Sequence, residues 1–158
     1  MTNDEILGHL RHCHLFSEFS DDELSAFMAL LDPIEAGSGE CVVRQDESGD
    51  SMYLLVAGAA RVVHHRDGRD VELARLKAGD FFGELALVDH GPRSADVETV
   101  EPAVLLQITQ ASMSALAGVY PMAAFKFLIT LGRIMVQRLR ASNQRYIDSM
   151  LLPLHGKD

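Results

Sequence analysis

Positive charge is scarce in this 158-residue chain: 14 Lys and Arg stand against 23 Asp and Glu, a net charge of −9 with a pI near 5.1. That balance works against non-specific nucleic-acid binding, which draws affinity from counterions released by clustered Lys and Arg. Cysteine is nearly absent. Cys13 and Cys41 form no CxxC pair, so neither a disulfide scaffold nor a zinc site is indicated, and both read as ordinary reduced thiols. No run of about 18 apolar residues occurs, and "MTNDEILGHLRHCHLF" lacks the basic start and apolar core of a secretory signal. A cytoplasmic protein with no membrane partner is expected. There is also no His/Asp cluster of metal-ligand spacing and no nucleophile–base pair, so we expect no metal, no cofactor, no catalytic residues and no enzyme. His12, Cys13 and His14 are adjacent, and adjacent helical side chains point in different directions rather than around one ion.

What is present is the make-up of a globular domain, 47% hydrophobic and 23% charged, long enough to bury a core of its own. The charge is uneven. Residues 1–120 hold 8 Lys and Arg against 21 Asp and Glu, net −13, whereas residues 121–158 hold 6 against 2, net +4. Residues 1–33 read as two short helices, with Ser20 and Glu23 forming a capping box for the second. From residue 34 to residue 110 the pattern changes to short runs, "CVVRQ", "SMYLLVAG", "ARVVHH", "VELARL", "ADVETV" and "AVLLQI", separated by glycine-bearing turns. Asp67-Gly68 predicts a tight hairpin, and His64 and His65 read as strand-end residues beside it. Strands at this spacing predict an antiparallel β-roll or jelly roll, so the fold class is mainly β with flanking helices.

Residues 111–152 are read as the C-terminal helical segment. Pro121 suits the first turn of a long helix whose stripe, Leu128, Leu131, Met135, Leu139, Ser142, Tyr146 and Met150, runs to about Leu152 before a tail at 153–158 with Pro153 and Gly156. A helix of roughly 30 residues spans about 45 Å, more than one small roll covers. Its first half is expected against the roll; its second half is either a dimer seam or an exposed or folded-back tail. Arg133, Arg138, Arg140 and Arg145 form a solvated face or pair with the acidic roll or an acidic partner.

The chemistry concentrates in "GDFFGELALVDHGPRSADV", residues 79–97. Gly83 lets backbone approach a ligand, "ELAL" forms one helical turn whose free N–H groups face an anion, Arg93 offers a planar fork to a phosphate, and Ser94 adds a hydroxyl. Glu84 repels phosphate, and its presence makes sense as an acceptor for a sugar hydroxyl beside it. The pair points to a ribose phosphate of low charge.

This stretch resembles the phosphate-binding cassette of cyclic-nucleotide-binding domains, the modules of catabolite-activator-type regulators, cyclic-nucleotide-dependent kinases and gated channels. "GDSMYLLVAGAARV" and "HLFSEFSDDEL" extend the resemblance from about His14 to about Met150. The resemblance implies that Glu84 takes the ribose 2′-hydroxyl and Arg93 the exocyclic phosphate oxygens, with backbone N–H groups of Gly83, Leu85, Ala86 and Ser94 or Ala95 completing the cradle. "YPMAAFKFLITLGRIMVQRLRASNQRY" is similar to the dimerisation helix of the bacterial activators. This similarity implies a homodimer, base contacts from Ser142 and Asn143, and Arg138 bracing Glu84 or the phosphate. The expected ligand is cAMP ahead of cGMP, although Ser94 suits either. Occupancy would pass through the C-terminal helix to a dimer mate or an effector protein of unknown identity.

Departures from the family pattern bear on affinity. Asp96 replaces the usual Thr or Ser after "RSA" and would weaken anion binding if it turned inward. His90, beside the cassette turn, is a position that could tune ligand access with pH. After the long helix no helix-turn-helix segment is read, so a stand-alone sensor without DNA binding is expected. The alternatives are an interaction domain of the same fold that binds no nucleotide, in which Glu84 and Arg93 form a buried ion pair, and a sensor of another small anion.

Overall fold

The computed structural model describes residues 1–152; the expected tail and its Pro153 and Gly156 lie outside the described residues. Helices α1 (Asn3–Arg11) and α2 (Asp21–Met28) open the chain, with a 3-10 turn (His14–Phe16) between them. Ser20 caps α2 as its neighbours dictate: the Glu23 N–H donates to Ser20 Oγ at 3.1 Å and the Ser20 N–H donates to the Glu23 carboxylate at 2.9 Å.

Eight antiparallel strands form the roll. They are β1 (Pro33–Ala36), β2 (Cys41–Val43), β3 (Ser51–Ala57), β4 (Ala59–Arg66), β5 (Arg69–Lys77), β6 (Phe81–Phe82), β7 (Asp96–Thr99) and β8 (Ala103–Thr109). Two four-stranded sheets result, ordered β1-β8-β3-β6 and β2-β7-β4-β5. All six expected runs are strands. The β4–β5 hairpin turns on Asp67 and Gly68, both at positive φ (53° and 72°), as a two-residue turn matching strand twist requires. The sequence reading missed β1, which starts on a Pro taken to close the helices, and the two-residue β6. Proline is tolerated at the first residue of an edge strand, which β1 is.

Period-two alternation divides the core. On β3, Met52, Leu54 and Val56 face a core shared with the helices, while Leu55 faces the second sheet with Leu105 and Phe82. Phe127 sits in the helical core, 5.8 Å from both Phe16 and Phe27.

The C-terminal segment is two helices rather than one. Helix α4 (Gln110–Val119) is capped by Thr109, and the chain leaves helical geometry at Tyr120 (φ −129°, ψ 76°) before Pro121 opens α5 (Pro121–Leu151). The stripe drawn through Leu128 needs correction. The buried face of α5 is Ala123, Ala124, Phe127, Thr130 and Leu131, with Ile134 and Met135 half-buried beside it, and Leu128 is 51% exposed. That face ends at Met135; from Val136 to Leu152 every residue is exposed. The Lys126 ammonium, 3.0 Å from Glu23, ties the packed half to α2.

Candidate functional site

Residues 79–97 run from β6 through a short helix, α3 (Glu84–Asp89), to β7. Gly83 caps α3 at φ 77°, and a Cβ there would lie 2.4 Å from Arg93 Nη1, so backbone and space both require glycine. The first-turn N–H groups of α3 have no acceptor within the helix and lie at the edge of the site. His90 is the exposed C-cap.

Arg93 is only 8% exposed. A loop clamps its backbone: the Asp46 N–H donates to Arg93 O and the Arg93 N–H donates to Glu47 O, both at 2.9 Å. Its guanidinium Nη1 donates to Ser51 O at 2.7 Å and Gly83 O at 3.2 Å, and Nη2 reaches Ser51 Oγ at 3.4 Å. Among the described residues no carboxylate pairs with it. The alternative of a buried Glu84–Arg93 ion pair is therefore overturned, because Glu84 turns the other way and accepts from Arg138 Nη1 at 3.4 Å. Arg138 also lies over the Phe81 ring, 4.5 Å from its centroid, a cation–π contact that holds a half-exposed side chain in place.

These groups surround a cavity of about 320 Å³, within the size range of small-molecule sites. Val43, Val62, Ala74, Leu76 and Val97 of the second sheet form an apolar wall; Arg93 and Glu84 supply opposite charges. Gly83, Glu84, Leu85, Ala86, Arg93, Ser94, Ala95 and Arg138 all line it. Ser142 and Asn143 do not; they lie about one turn further along the exposed half of α5.

Asp96 does not face the cavity. Its carboxylate accepts from the Gln45 N–H at 2.6 Å and meets His65 Nε2 at 2.8 Å, while His65 Nδ1 meets Asp70 at 2.6 Å. The Gln45 amide, and then the imidazole, hold the Asp96 carboxyl below its usual range. Asp70, and then Asp96, raise the His65 imidazole. His64 Nδ1 lies 3.0 Å from Ser94 O. Both histidines read as plain strand ends thus fasten the chain that leaves the cassette.

Sequence reasoning also missed Gly49, Ser51 and Gln107 around Arg93. A signal was available. Ser51 shares the parity of Leu55 in an apolar strand, and Gln107 interrupts "AVLLQI", so each is a polar residue on a face that packs inward.

The CRP-like cAMP-activated global transcriptional regulator of Mycobacterium tuberculosis is 24% identical over 155 residues, 98% of this chain and 66% of that protein. A cAMP-dependent protein kinase regulatory subunit of Debaryomyces hansenii is 30% identical over 109 residues, 69% of this chain and 24% of that protein. This chain thus spans less than two thirds of either relative. The crystal structure of Thermus thermophilus catabolite activator protein superposes with a TM-score of 0.77 at 27% identity, over 87% of this chain and 62% of that one. A cyclic nucleotide-binding domain from Methylobacillus flagellatus KT shares the fold, with a TM-score of 0.78 at 24% identity over 99% of this chain and 85% of that one. No described helix is long and apolar enough to cross a membrane. The sequence profile of the cyclic nucleotide-binding domain matches residues 33–119, from the first strand through α4 and across the whole cavity lining except Arg138, and the chain belongs to that family.

Proposed function

We propose that the protein is a cyclic-nucleotide sensor, with cAMP preferred to cGMP, that reports occupancy through α5. The observation that carries this reading is the Arg93 guanidinium, buried without a carboxylate partner at a cavity whose other charged wall is Glu84. A buried cation met by carbonyl and hydroxyl oxygens and by the Tyr53 ring, 5.8 Å from Cζ, but by no anion, is incompletely compensated, and a phosphate entering the cavity supplies the missing charge. Glu84 accepts from the ribose 2′-hydroxyl, first-turn N–H groups of α3 complete the anion cradle, and the apolar wall receives the rest of the nucleotide. Similarity to the cAMP-activated mycobacterial regulator and to the cAMP-dependent kinase regulatory subunit supports the cAMP preference.

Arg138 connects the cavity to α5. A ligand hydroxyl that engages Glu84 shares that carboxylate with Arg138, so occupancy bears on the contact that holds α5 at the mouth. The exposed half of α5 carries Val136, Leu139, Tyr146, Ile147 and Met150, an apolar complement suited to a second copy of the chain. Light scattering is expected to give the mass of a dimer; a monomer at all concentrations refutes that part. In that dimer Ser142 and Asn143 reach the base across the pair.

Titration calorimetry of nucleotide-stripped protein with cAMP and cGMP tests the central claim. Arg93→Ala is expected to cost about 2–5 kcal/mol of binding with the fold retained. Wild-type affinity in that variant would sink the assignment.

A further inference from the structure

We infer that Ser51 and Gln107 are positioning residues for anion recognition, holding the Arg93 guanidinium so that its Nε–H and one Nη2–H face the cavity as a fork. The inference rests on the cyclic-nucleotide reading and specifies how the phosphate is met.

A guanidinium has five N–H donors in fixed directions. Ser51 takes the Nη1/Nη2 end, with its carbonyl at 2.7 Å and its hydroxyl at 3.4 Å, and Gly83 O takes the second Nη1 hydrogen at 3.2 Å. Two donors remain, on the edge shared by Nε and Nη2, and among the described residues no acceptor meets them. Arg93 and Gly83 line the cavity, whereas Ser51, which takes the Nη1/Nη2 end, lies outside the lining; on this inference the free Nε/Nη2 edge, opposite the Ser51 seat, faces the cavity. Two parallel N–H groups on one edge match two oxygens of a phosphate, a fit that a lysine ammonium does not reproduce.

The seat is itself fastened from behind. Ser51 is 2% exposed, and Gln107 Nε2 donates to its hydroxyl at 3.0 Å and to Tyr53 OH at 3.2 Å. Gln107 stands opposite Tyr53 in the β3–β8 ladder, so its reach to Ser51 is set by strand register. Gly49 covers the flat face of the guanidinium: a Cβ there would come within 2.3 to 2.5 Å of Nε, Cζ and Nη2 alike. An arginine held on one end and one face gives up little freedom when a ligand arrives, which is the advantage of preorganisation. Stability alone does not call for a serine and a glutamine here, because apolar residues on an inward face carry no desolvation cost.

The test is calorimetric titration with cAMP of four forms of the full chain: wild type, Gln107→Met, Arg93→Lys and the double variant. Gln107→Met keeps side-chain length and removes the donor. It is expected to weaken binding about tenfold with Arg93 in place and less than about twofold in the Arg93→Lys background, where there is no fork to aim. Ser51→Ala, which removes the same hydroxyl, repeats the comparison if Gln107→Met does not fold. Unchanged affinity in Gln107→Met, with binding still lost in Arg93→Ala, overturns the positioning role and leaves the cyclic-nucleotide reading standing. A tenfold loss in both backgrounds assigns Gln107 to general packing and also overturns it. Wild-type protein that binds neither cAMP nor cGMP overturns the underlying reading and this inference with it.

Discussion

Strand β3 buries Ser51, Met52, Leu54, Leu55 and Val56, whereas along β5 only Leu76 is even half-buried. The strands belong to different sheets, and the sheets are stabilised differently. The β1-β8-β3-β6 sheet is covered on both faces, by the helices on one side and by the partner sheet on the other. The β2-β7-β4-β5 sheet packs Val43, Ala60 and Val97 inward, and polar contacts dress the rest: Arg61 on Glu98 at 2.8 Å, and His65 between Asp70 and Asp96. The cavity draws on both kinds of sheet. Burial fixes the seat of Arg93 through Ser51 on β3, while the more exposed sheet provides the apolar wall of the cavity.

The sharpest test of this contrast compares truncations of one leucine from each sheet. Leu106 on β8 is fully buried and Leu73 on β5 is 59% exposed. Leu106→Ala is expected to cost about 2–5 kcal/mol in urea unfolding, from lost transfer energy and the cavity left behind. Leu73→Ala is expected to stay within about 0.5 kcal/mol of wild type. Equal effects would mean that the exposed sheet carries burial of its own, for instance in a dimer.

Titration separates the sheets a second way. His65 is raised above its ordinary value by Asp70 and Asp96, so its contribution is complete at pH values below the unfolded pKa of about 6.5 and is lost as pH rises through the raised folded value. Asp96 is lowered, so its contribution is complete above about 3.8 and is lost as pH falls through the depressed folded value. Thermal unfolding of wild type against His65→Asn, from about pH 5 to about pH 9, should show the wild-type advantage greatest on the acid side and shrinking as the imidazole deprotonates. Parallel curves would remove His65 as a fastening for the exit from the cassette.

The same division explains what was legible in the sequence. "SMYLLVAG" and "AVLLQI" announce buried strands by composition, and Asp67-Gly68 announces its hairpin, because local chemistry decides both. Gly83, Glu84, Arg93 and Ser94 were legible as one site because the chain brings them together within a dozen residues. Ser51 and Gln107 stand 42 and 14 residues from Arg93, and their meeting depends on the β3–β8 register, which no local pattern reveals. The destination of Asp96 was unreadable for the same reason, since His65 and Gln45 reach it from two other strands' ends. The start of α4 was lost in a segment read for its long helix alone, although Thr109 and Ser112 form a cap across it.

The smallest effect is expected at Arg61. Its Nε and Nη2 donate to one Glu98 oxygen at 3.0 and 2.8 Å, across the β4–β7 ladder. The distances are those of a strong charge-assisted bond, yet the arginine side chain is 46% exposed, so water and salt screen the pair and ordering two long side chains offsets much of the attraction. Arg61→Ala is therefore expected to move Tm by no more than about 2 °C, and that difference should shrink further in about 1 M salt. A larger shift that persists in salt would mean the pair is shielded in solution by something covering the outer face of this sheet. The contrast between the sheets would then hold for the single chain and fail for the assembly.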